Sequence, residues 1–219
     1  MWTIIFDMDG VIVDSEPLHI AHLHGYLRKI GVVEPESFSQ SLKGVSARDS
    51  WQLLIENFNL EQDIETLIED ARRSYVDYLE SLAALPVIPG AIQLVKALHS
   101  KGYRLALGSS AAPKRIELFL HKLKLQKYFE KVVSGDDVKR SKPAPDIFLK
   151  AAELMKVKPS NCVVIEDANN GVVAAHAAGM KCIAYAGSVH NTDDLAQADV
   201  IIKDFEPLAR AAKNGGLPV

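Results

Sequence analysis

Residues 2–10, WTIIFDMDG, combine an apolar run with two aspartates that follow it directly, and this combination indicates the fold class. The β-branched and aromatic residues over 2–6 predict a short strand. The strand ends at Asp7, and Asp9 and Gly10 follow directly. Ligands of open parallel sheets bind beyond the carboxyl ends of the strands, so Asp7 and Asp9 would lie at the ligand-binding edge of such a sheet. Alone, an Asp-x-Asp sequence is more often a turn or a solvated loop.

Strands alternate with helices after Pro86. We expect further strands near residues 103–107, 131–134, 162–165, 181–185 and 199–202, with helices near 89–99, 113–124, 145–155 and 171–178. This alternation is typical of a parallel, doubly wound α/β sheet. Residues 16–82 interrupt it, with helical periodicity near 17–30, 47–58 and 61–82. We therefore predict an α/β core of residues 1–15 and 83–219, with a small all-helical domain at 16–82 inserted after the first strand.

The composition is that of an ordinary globular protein. The 219 residues are 48% hydrophobic and 24% charged with a net charge of -3, so nothing indicates nucleic acid or an anionic membrane as partner. No apolar stretch approaches the ~18 residues that span a bilayer. Cys162 and Cys182 lie in apolar runs, which predicts core residues rather than a disulfide or zinc site. Met1 leads straight into a strand without a signal-like leader, so we expect a cytoplasmic protein. We also expect a monomer.

Two later predicted strands also end in polar residues. Ser109 and Ser110 follow one of them, and Glu166 and Asp167 follow the other. If these strands neighbour the first, all the polar residues meet at one edge of the sheet. Four carboxylates gathered there would repel one another and need a cation. A set of oxygen ligands favours Mg²⁺ over zinc.

Phosphoryl transfer is a reaction that these residues can perform. It requires positive charge around the phosphate, an in-line nucleophile and a proton carrier. Asp7 can attack phosphorus, and Asp9 can protonate the leaving oxygen and later deprotonate water. Ser109 can donate to phosphate oxygens, and Lys142, in a proline-stiffened loop just before a helix, can offset the negative charge.

Each of these motifs has a more common explanation when it stands alone. A Glu-Asp pair before a helix often only complements the helix dipole, a Ser-Ser pair often caps a turn, and a single lysine usually lies on the surface. Their order along the chain, each after a strand or before a helix, favours one common site.

These residues resemble the haloacid dehalogenase superfamily of phosphotransferases, over nearly the whole chain. The motifs that carry the resemblance are DMDGV at 7–11, Ser109, SKPAPD at 141–146 and EDANNG at 166–171. The resemblance implies a Rossmann-like core with a helical cap inserted after the first strand, which matches 16–82. It also implies Mg²⁺ held by Asp7, the backbone carbonyl of Asp9, and Asp167, with Glu166 binding directly or through water.

Within that superfamily the chain is most similar to β-phosphoglucomutases and to sugar-phosphate phosphatases. The segment LKGVS at 42–46 is similar to the mutase cap loop, and His19 falls where mutases have a histidine that helps position the counterpart of Asp9. The resemblance therefore assigns substrate contacts to His19, Lys43, Gly44, Ser46, Arg48, Ser50, Ser110 and Asn170.

The chain departs from the mutase pattern in the cap. Ala47 replaces an arginine, Leu23 replaces a tryptophan, and Ala71 aligns with a lysine. These changes remove a cation expected to grip a second phosphate, and Arg48, Arg72 and Arg73 are the candidates to replace it. We therefore predict a Mg²⁺-dependent phosphatase that acts on a small phosphorylated metabolite, a sugar phosphate, through an aspartyl phosphate. The alternative is a β-phosphoglucomutase that interconverts β-glucose 1-phosphate and glucose 6-phosphate.

Two other classes are disfavoured by the residues present. A dehalogenase, which attacks carbon, has no use for Asp9 as acid/base or for the metal pair Glu166-Asp167. A non-catalytic binding module of this fold would be free to lose Asp7 or Lys142, and both are present.

Overall fold

The computed structural model describes residues 2–33, 38, 47–187, 195–214 and 216. The chain divides into two compact units, residues 1–15 with 84–219 and residues 16–83. Over the described residues the strands are β1 Thr3–Phe6, β2 Arg104–Gly108, β3 Lys131–Val133, β4 Cys162–Glu166, β5 Lys181–Tyr185 and β6 Val200–Ile202. The α-helices are α1 Glu16–Lys29, α2 Ala47–Phe58, α3 Ile64–Ser81, α4 Ala91–Ser100, α5 Pro113–Leu123, α6 Asp146–Met155, α7 Asn169–Ala177 and α8 Phe205–Lys213.

The larger unit is built on one parallel sheet with the strand order β3-β2-β1-β4-β5-β6. The chain runs outward from β1 to β3 and then returns to place β4 on the other side of β1. Phe6 therefore lies opposite Leu107 of β2 and Ile165 of β4. The carboxyl ends of these three strands stand side by side at the point where the strand order reverses, which is where open α/β sheets bind ligands. The predicted parallel α/β sheet is confirmed.

The sheet is buried on both faces, as parallel sheets are. On one face Ile5 and Val164 pack with Phe148 of α6 and Val172 of α7 in a continuous apolar core. Cys162 and Cys182 belong to the same core and are fully buried free thiols, as expected of core residues. On the other side, α4 packs against β2, and α8 packs against α4. Helices on both faces exclude water from the sheet and leave its strand ends as the accessible edge.

The smaller unit contains α1, α2 and α3, and its described residues include no strand. Its core joins Tyr26, Trp51, Leu54 and Leu67, with the rings of Tyr26 and Trp51 packed edge to face at 5.7 Å. The third helix begins later than its predicted start at residue 61. The side chain of Asp63 accepts a hydrogen bond from the backbone N–H of Thr66 at 3.1 Å, which caps the helix there.

One helix of the larger unit was not predicted. Helix α8 begins after Asp204, whose side chain accepts a hydrogen bond from the Glu206 N–H at 2.8 Å. It buries Phe205, Leu208 and Ala212 along one face. Among the described residues, no helix combines the length and the apolar character needed to cross a bilayer.

Asp199 ties the start of β6 to β5 and is expected to stabilise the fold in a pH-dependent way. Its carboxylate accepts hydrogen bonds from Lys181 Nζ at 2.6 Å and from the Cys182 N–H at 2.8 Å, and lies 3.0 Å from His176 Nε2. Burial alone would raise the pKa of Asp199, but these partners outweigh it and lower the pKa from 3.8 to about 2. The ionised carboxylate therefore stabilises the fold fully above about pH 4, and this contribution is lost as the pH falls towards about 2.

We expect Asp199→Ala to lower the free energy of unfolding by about 1–2 kcal/mol at neutral pH, because it leaves the Cys182 N–H without its acceptor. The difference from wild type should shrink below about pH 4. Urea unfolding at several pH values measures it. Lys181→Ala is the control, since it removes only a half-exposed ion pair and should cost less than about 1 kcal/mol. Equal losses in the two variants would contradict this account.

Candidate active site

A buried lysine joins two carboxylates at the centre of the sheet edge. Lys142 Nζ donates to Asp7 Oδ1 at 2.6 Å and to Glu166 Oε1 at 2.7 Å. The three side chains are between 2% and 9% exposed, so the interactions are shielded from water. The Lys142 ammonium also lies 4.8 Å from the centroid of the Phe148 ring. Residues from three separate segments, of which Asp7 and Lys142 lie 135 positions apart, are thus held as one charged cluster.

Each member of the cluster is placed by a short local structure. Asp7 immediately follows β1, and its backbone N–H donates to the Ile165 carbonyl of the neighbouring strand at 2.9 Å. Lys142 lies in the Pro-rich loop before α6, whose first turn carries Ile147 and Phe148 into the core. The backbone is therefore held in place both at Asp7 and in the loop that carries Lys142.

Glu166 ends β4 with both carboxylate oxygens engaged. Oε1 accepts from Lys142, and Oε2 accepts from the N–H groups of Asp167 at 2.7 Å and Ala168 at 2.9 Å. These N–H groups lie just ahead of α7, so the carboxylate also faces the positive end of the helix dipole. Gly171 makes room for it, because a Cβ there would overlap the Glu166 carboxylate.

The carboxylates of Asp7, Glu166 and Asp167 offer oxygen atoms that all lie within 4.8 Å of one another. Burial, followed by the Asp7–Glu166 and Asp7–Asp9 repulsions, outweighs Lys142 and raises the pKa of Asp7 to about 7. Burial and the neighbouring carboxylates raise the pKa of Asp167 to about 9. Burial alone would lower the pKa of Lys142, but Asp7 and Glu166 outweigh it and raise that pKa above its ordinary range. One ammonium is too little to balance this set.

A hard divalent cation fits this cluster. The ligand atoms are carboxylate oxygens, which Mg²⁺ prefers, and neither a histidine nor a cysteine belongs to the group. A bound cation would relieve the repulsion that now favours protonation of Asp7 and Asp167. The residues present therefore suit a magnesium ion.

Gly10 is a second requirement of the same cluster. Its φ is +71°, and a Cβ at this position would overlap the carboxylate of Asp167. We expect Gly10→Ala to displace Asp167 and weaken Mg²⁺ affinity by at least about tenfold, measured by calorimetric titration.

Gly179→Ala is the matched control for that substitution. Gly179 has nearly the same φ, +72°, but nothing lies within 4 Å of a Cβ built on it. It should lose about 1 kcal/mol of stability from backbone strain and keep its Mg²⁺ affinity. Unchanged affinity in Gly10→Ala would argue against Asp167 as a ligand.

Asp9 lies on the turn beyond Asp7 and has a partner that the sequence did not reveal. Arg115 Nη2 donates to Asp9 Oδ2 at 2.7 Å, and the two side chains are 15% and 29% exposed. The other oxygen, Asp9 Oδ1, is buried and has no hydrogen-bond partner among the described residues. The charge of Asp9 acts on both Asp7 and Asp167 by raising their pKa values. Asp9 therefore belongs to the cluster electrostatically.

Ser109 follows β2 on the other side of Asp7 and is fully buried. Its backbone N–H donates to the Val133 carbonyl at 3.0 Å, and its Oγ accepts from the Ala111 N–H at 3.1 Å. Because Oγ acts as an acceptor in this turn, its own O–H remains available as a donor.

The other predicted substrate residues are less closely assembled. Ser110 is exposed beside Ser109, and Asn170 is exposed in the first turn of α7. In the smaller unit, His19 stacks on Tyr75 with ring centroids 4.2 Å apart, Ser50 is half-buried in α2, and Arg48 pairs with Glu65. Lys43, Gly44 and Ser46, with the rest of the 42–46 segment, lie outside the described residues.

Comparison with known proteins places the chain in a family. Residues 4–185 match the model of the haloacid dehalogenase-like hydrolases. A phosphorylated carbohydrates phosphatase of Thermotoga maritima is 33% identical over 198 residues, which cover 89% of this chain and 88% of that protein. A fructose-1-phosphate phosphatase of Escherichia coli is 36% identical over 82% of this chain and 94% of its own length.

Solved structures agree with this placement. The crystal structure of a β-phosphoglucomutase from Clostridium difficile superposes with a TM-score of 0.77 at 26% identity, covering 98% of this chain and 97% of that one. The chain belongs to the haloacid dehalogenase-like hydrolase family, and the predicted resemblance is confirmed. It is accordingly an enzyme of the hydrolase type whose relatives include named phosphatases and mutases.

Proposed function

We propose that this protein is a Mg²⁺-dependent phosphatase that removes the phosphoryl group from a sugar phosphate through an aspartyl phosphate on Asp7. The observation that carries the proposal is the buried contact of Lys142 with both Asp7 and Glu166 at the point where the strand order reverses. The contact presents a carboxylate nucleophile beside a cation, in surroundings from which water is largely excluded. The relatives named as carbohydrate phosphatases support the substrate class.

The reaction divides into two displacements at phosphorus. In the first, an Asp7 oxygen bonds to phosphorus while the bond to the sugar oxygen breaks, and Asp9 gives that oxygen a proton. In the second, a water attacks phosphorus while Asp9 takes its proton, and the bond to Asp7 breaks to release inorganic phosphate. Lys142 and the hydroxyl of Ser109 offset the charge of the transferring group in both steps.

The metal would be held by Asp7, Asp167 and the backbone carbonyl of Asp9. Both oxygens of Glu166 already accept hydrogen bonds from protein groups, which supports a contact of Glu166 with the metal through water. When bound, Mg²⁺ neutralises charge on the phosphoryl oxygens and orients them for in-line attack. Lys142 alone does not supply enough positive charge to neutralise both the carboxylates and the phosphoryl group.

The helical unit is proposed as the cap that selects the substrate. His19, Arg48 and Ser50 on α1 and α2 are the described residues to which substrate contacts are assigned, together with Ser110 and Asn170 of the core unit. Arg48 is paired with Glu65, so it is not a free replacement for the cation missing at Ala47. The absence of arginine at that position favours water over a sugar phosphate as the acceptor of the phosphoryl group.

A mutase remains the second candidate, on the strength of the structural likeness to a β-phosphoglucomutase. A mutase must hold a bisphosphate in two orientations, whereas a phosphatase must only admit water to the aspartyl phosphate. Both candidates share the same core residues, so only the product distinguishes them.

A substrate panel tests the proposal. Hexose, pentose and nucleotide monophosphates should be assayed for phosphate release with and without Mg²⁺, together with β-glucose 1-phosphate and a trace of its bisphosphate. We expect Mg²⁺-dependent release from one or more sugar phosphates. Formation of glucose 6-phosphate without phosphate release would establish the mutase instead. Lack of metal-dependent turnover on any of these compounds, and on p-nitrophenyl phosphate, would overturn the enzyme assignment.

A further inference from the structure

The ion pair between Arg115 and Asp9 joins residues that lie 106 positions apart. Both side chains are more than two-thirds buried, so the contact is less screened by solvent than the surface pairs of this protein. Arg115 holds one carboxylate oxygen of Asp9, Oδ2, and makes no hydrogen bond to the other, Oδ1. A partly buried arginine with this geometry fixes the orientation of the carboxylate that it contacts.

The position of Arg115 on its helix does not explain its presence. It is the third residue of α5, which begins at Pro113 after Ala112 without any side-chain cap. A cation in the first turn of a helix is unfavourable by about 0.3–1 kcal/mol, because the helix dipole is positive there. The contact with Asp9 offsets this cost, so the arginine is better accounted for by the site than by the helix.

The lack of a partner for the second oxygen of Asp9 indicates that a ligand binds there. Asp9 Oδ1 is buried and has no hydrogen-bond partner among the described residues. A buried carboxylate oxygen without a partner is costly, and in native proteins such atoms mark places where a bound group completes the hydrogen bonding. The hydroxyl of a departing sugar, or the attacking water, is the group that the two displacements would bring to this atom.

We propose that Arg115 is the positioning residue of Asp9, holding Oδ2 so that Oδ1 is the atom that exchanges the proton. This inference rests on the proposed function, because it assigns Asp9 the acid/base role. Arg115 acts through Asp9, so its loss should slow the proton-dependent step without weakening the binding of substrate.

Substrates whose leaving groups differ in basicity distinguish a role of Arg115 in proton transfer from a role in substrate binding or folding. An alkyl or sugar oxygen needs a proton to depart, whereas p-nitrophenolate departs without one. For Arg115→Ala we expect kcat/KM to fall about 10- to 100-fold on sugar phosphates, the loss typical of a misoriented catalytic group. On p-nitrophenyl phosphate kcat/KM, which reports the phosphorylation step alone, should fall less than about threefold, while kcat and KM fall together because Asp9 still serves as the base of the second displacement. Arg115→Lys should recover part of the loss, because it restores a donor to Oδ2.

Lys114→Ala is the matched control. Lys114 is the exposed neighbour of Arg115 in the same helical turn. The control removes the same charge from the adjacent position of the chain. It should keep kcat/KM within about twofold of wild type on both substrates. Thermal unfolding of all variants reports their folding, and Arg115→Gln, which retains a side-chain donor, replaces Arg115→Ala if the latter does not fold.

A double-mutant cycle completes the test. Once Asp9→Asn has removed the acid/base group, adding Arg115→Ala should lower kcat/KM no further. Equal losses of kcat/KM on sugar and p-nitrophenyl phosphates, a rise in KM with unchanged kcat, or additive losses with Asp9→Asn would each overturn the positioning role. A failure of the proposed function looks different, because Asp7→Asn and Asp9→Asn would then turn over as fast as wild type.

Discussion

Replacing Asp7 with asparagine is expected to abolish turnover, with kcat reduced by at least about 10³-fold on any phosphate ester. The amide has nearly the shape of the carboxylate but cannot form an acyl phosphate. It can still accept a hydrogen bond from Lys142, which keeps its second contact with Glu166. The loss should therefore be chemical, with the thermal stability of the variant close to that of wild type.

Steady-state hydrolysis of p-nitrophenyl phosphate at saturating Mg²⁺ measures this effect. The matched control is Asp14→Asn, a carboxylate of the same β1–α1 connection that belongs to the larger unit and is not among the clustered metal ligands. It should keep kcat within about threefold of wild type. Substantial turnover by Asp7→Asn would remove Asp7 from the role of nucleophile.

Replacing Asp9 with asparagine is expected to separate catalysis from metal binding. Turnover of sugar phosphates should fall by about 10²- to 10⁴-fold, the range for loss of a general acid/base. Mg²⁺ affinity should stay within about threefold of wild type, because the proposed ligand is the backbone carbonyl of Asp9 and the substitution leaves the backbone unchanged.

Calorimetric titration with Mg²⁺ is the measurement, with Asp167→Asn as the comparison. Asp167 is one of the three clustered carboxylates, so its substitution should weaken Mg²⁺ binding by at least about tenfold. If Asp9→Asn lost as much affinity as Asp167→Asn, the carboxylate of Asp9 would be a ligand and its acid/base role would be wrong.

The strands that carry the site were predictable from the sequence because their physical signals are strong. A short apolar run that stops at Asp7, and a second that stops at Glu166, define buried parallel strands with polar ends. The sequence did not show whether these two strands are adjacent. The sheet order shows that they are, and in the folded chain Lys142 contacts both carboxylates.

Helix α8 was missed although its signals are present in the sequence. Asp204 is an N-cap residue, and Phe205, Leu208 and Ala212 recur at the spacing of one helical face. The helix is only nine residues long and follows closely on the apolar strand β6, so its periodicity is a weak signal. Its packing against α4 is a tertiary contact, which a local sequence pattern does not predict.

Arg115 could not have been found by local reasoning. It stands in the first turn of a helix, where acidic residues are favoured, and nothing near it in the sequence indicates a carboxylate partner. Only the fold brings it to Asp9. The same holds for Asp199, whose contact with the backbone of β5 depends on strand pairing.

Chemical trapping of the intermediate would identify the nucleophilic residue itself. In Asp9→Asn, p-nitrophenyl phosphate should still phosphorylate the enzyme because its leaving group needs no proton, while hydrolysis of the intermediate lacks its base. The aspartyl phosphate should therefore accumulate, and borohydride reduction followed by peptide mass spectrometry should find homoserine at residue 7. Homoserine at another aspartate, or an unmodified residue 7 in a variant that releases a stoichiometric burst of p-nitrophenol, would contradict Asp7 as the nucleophile.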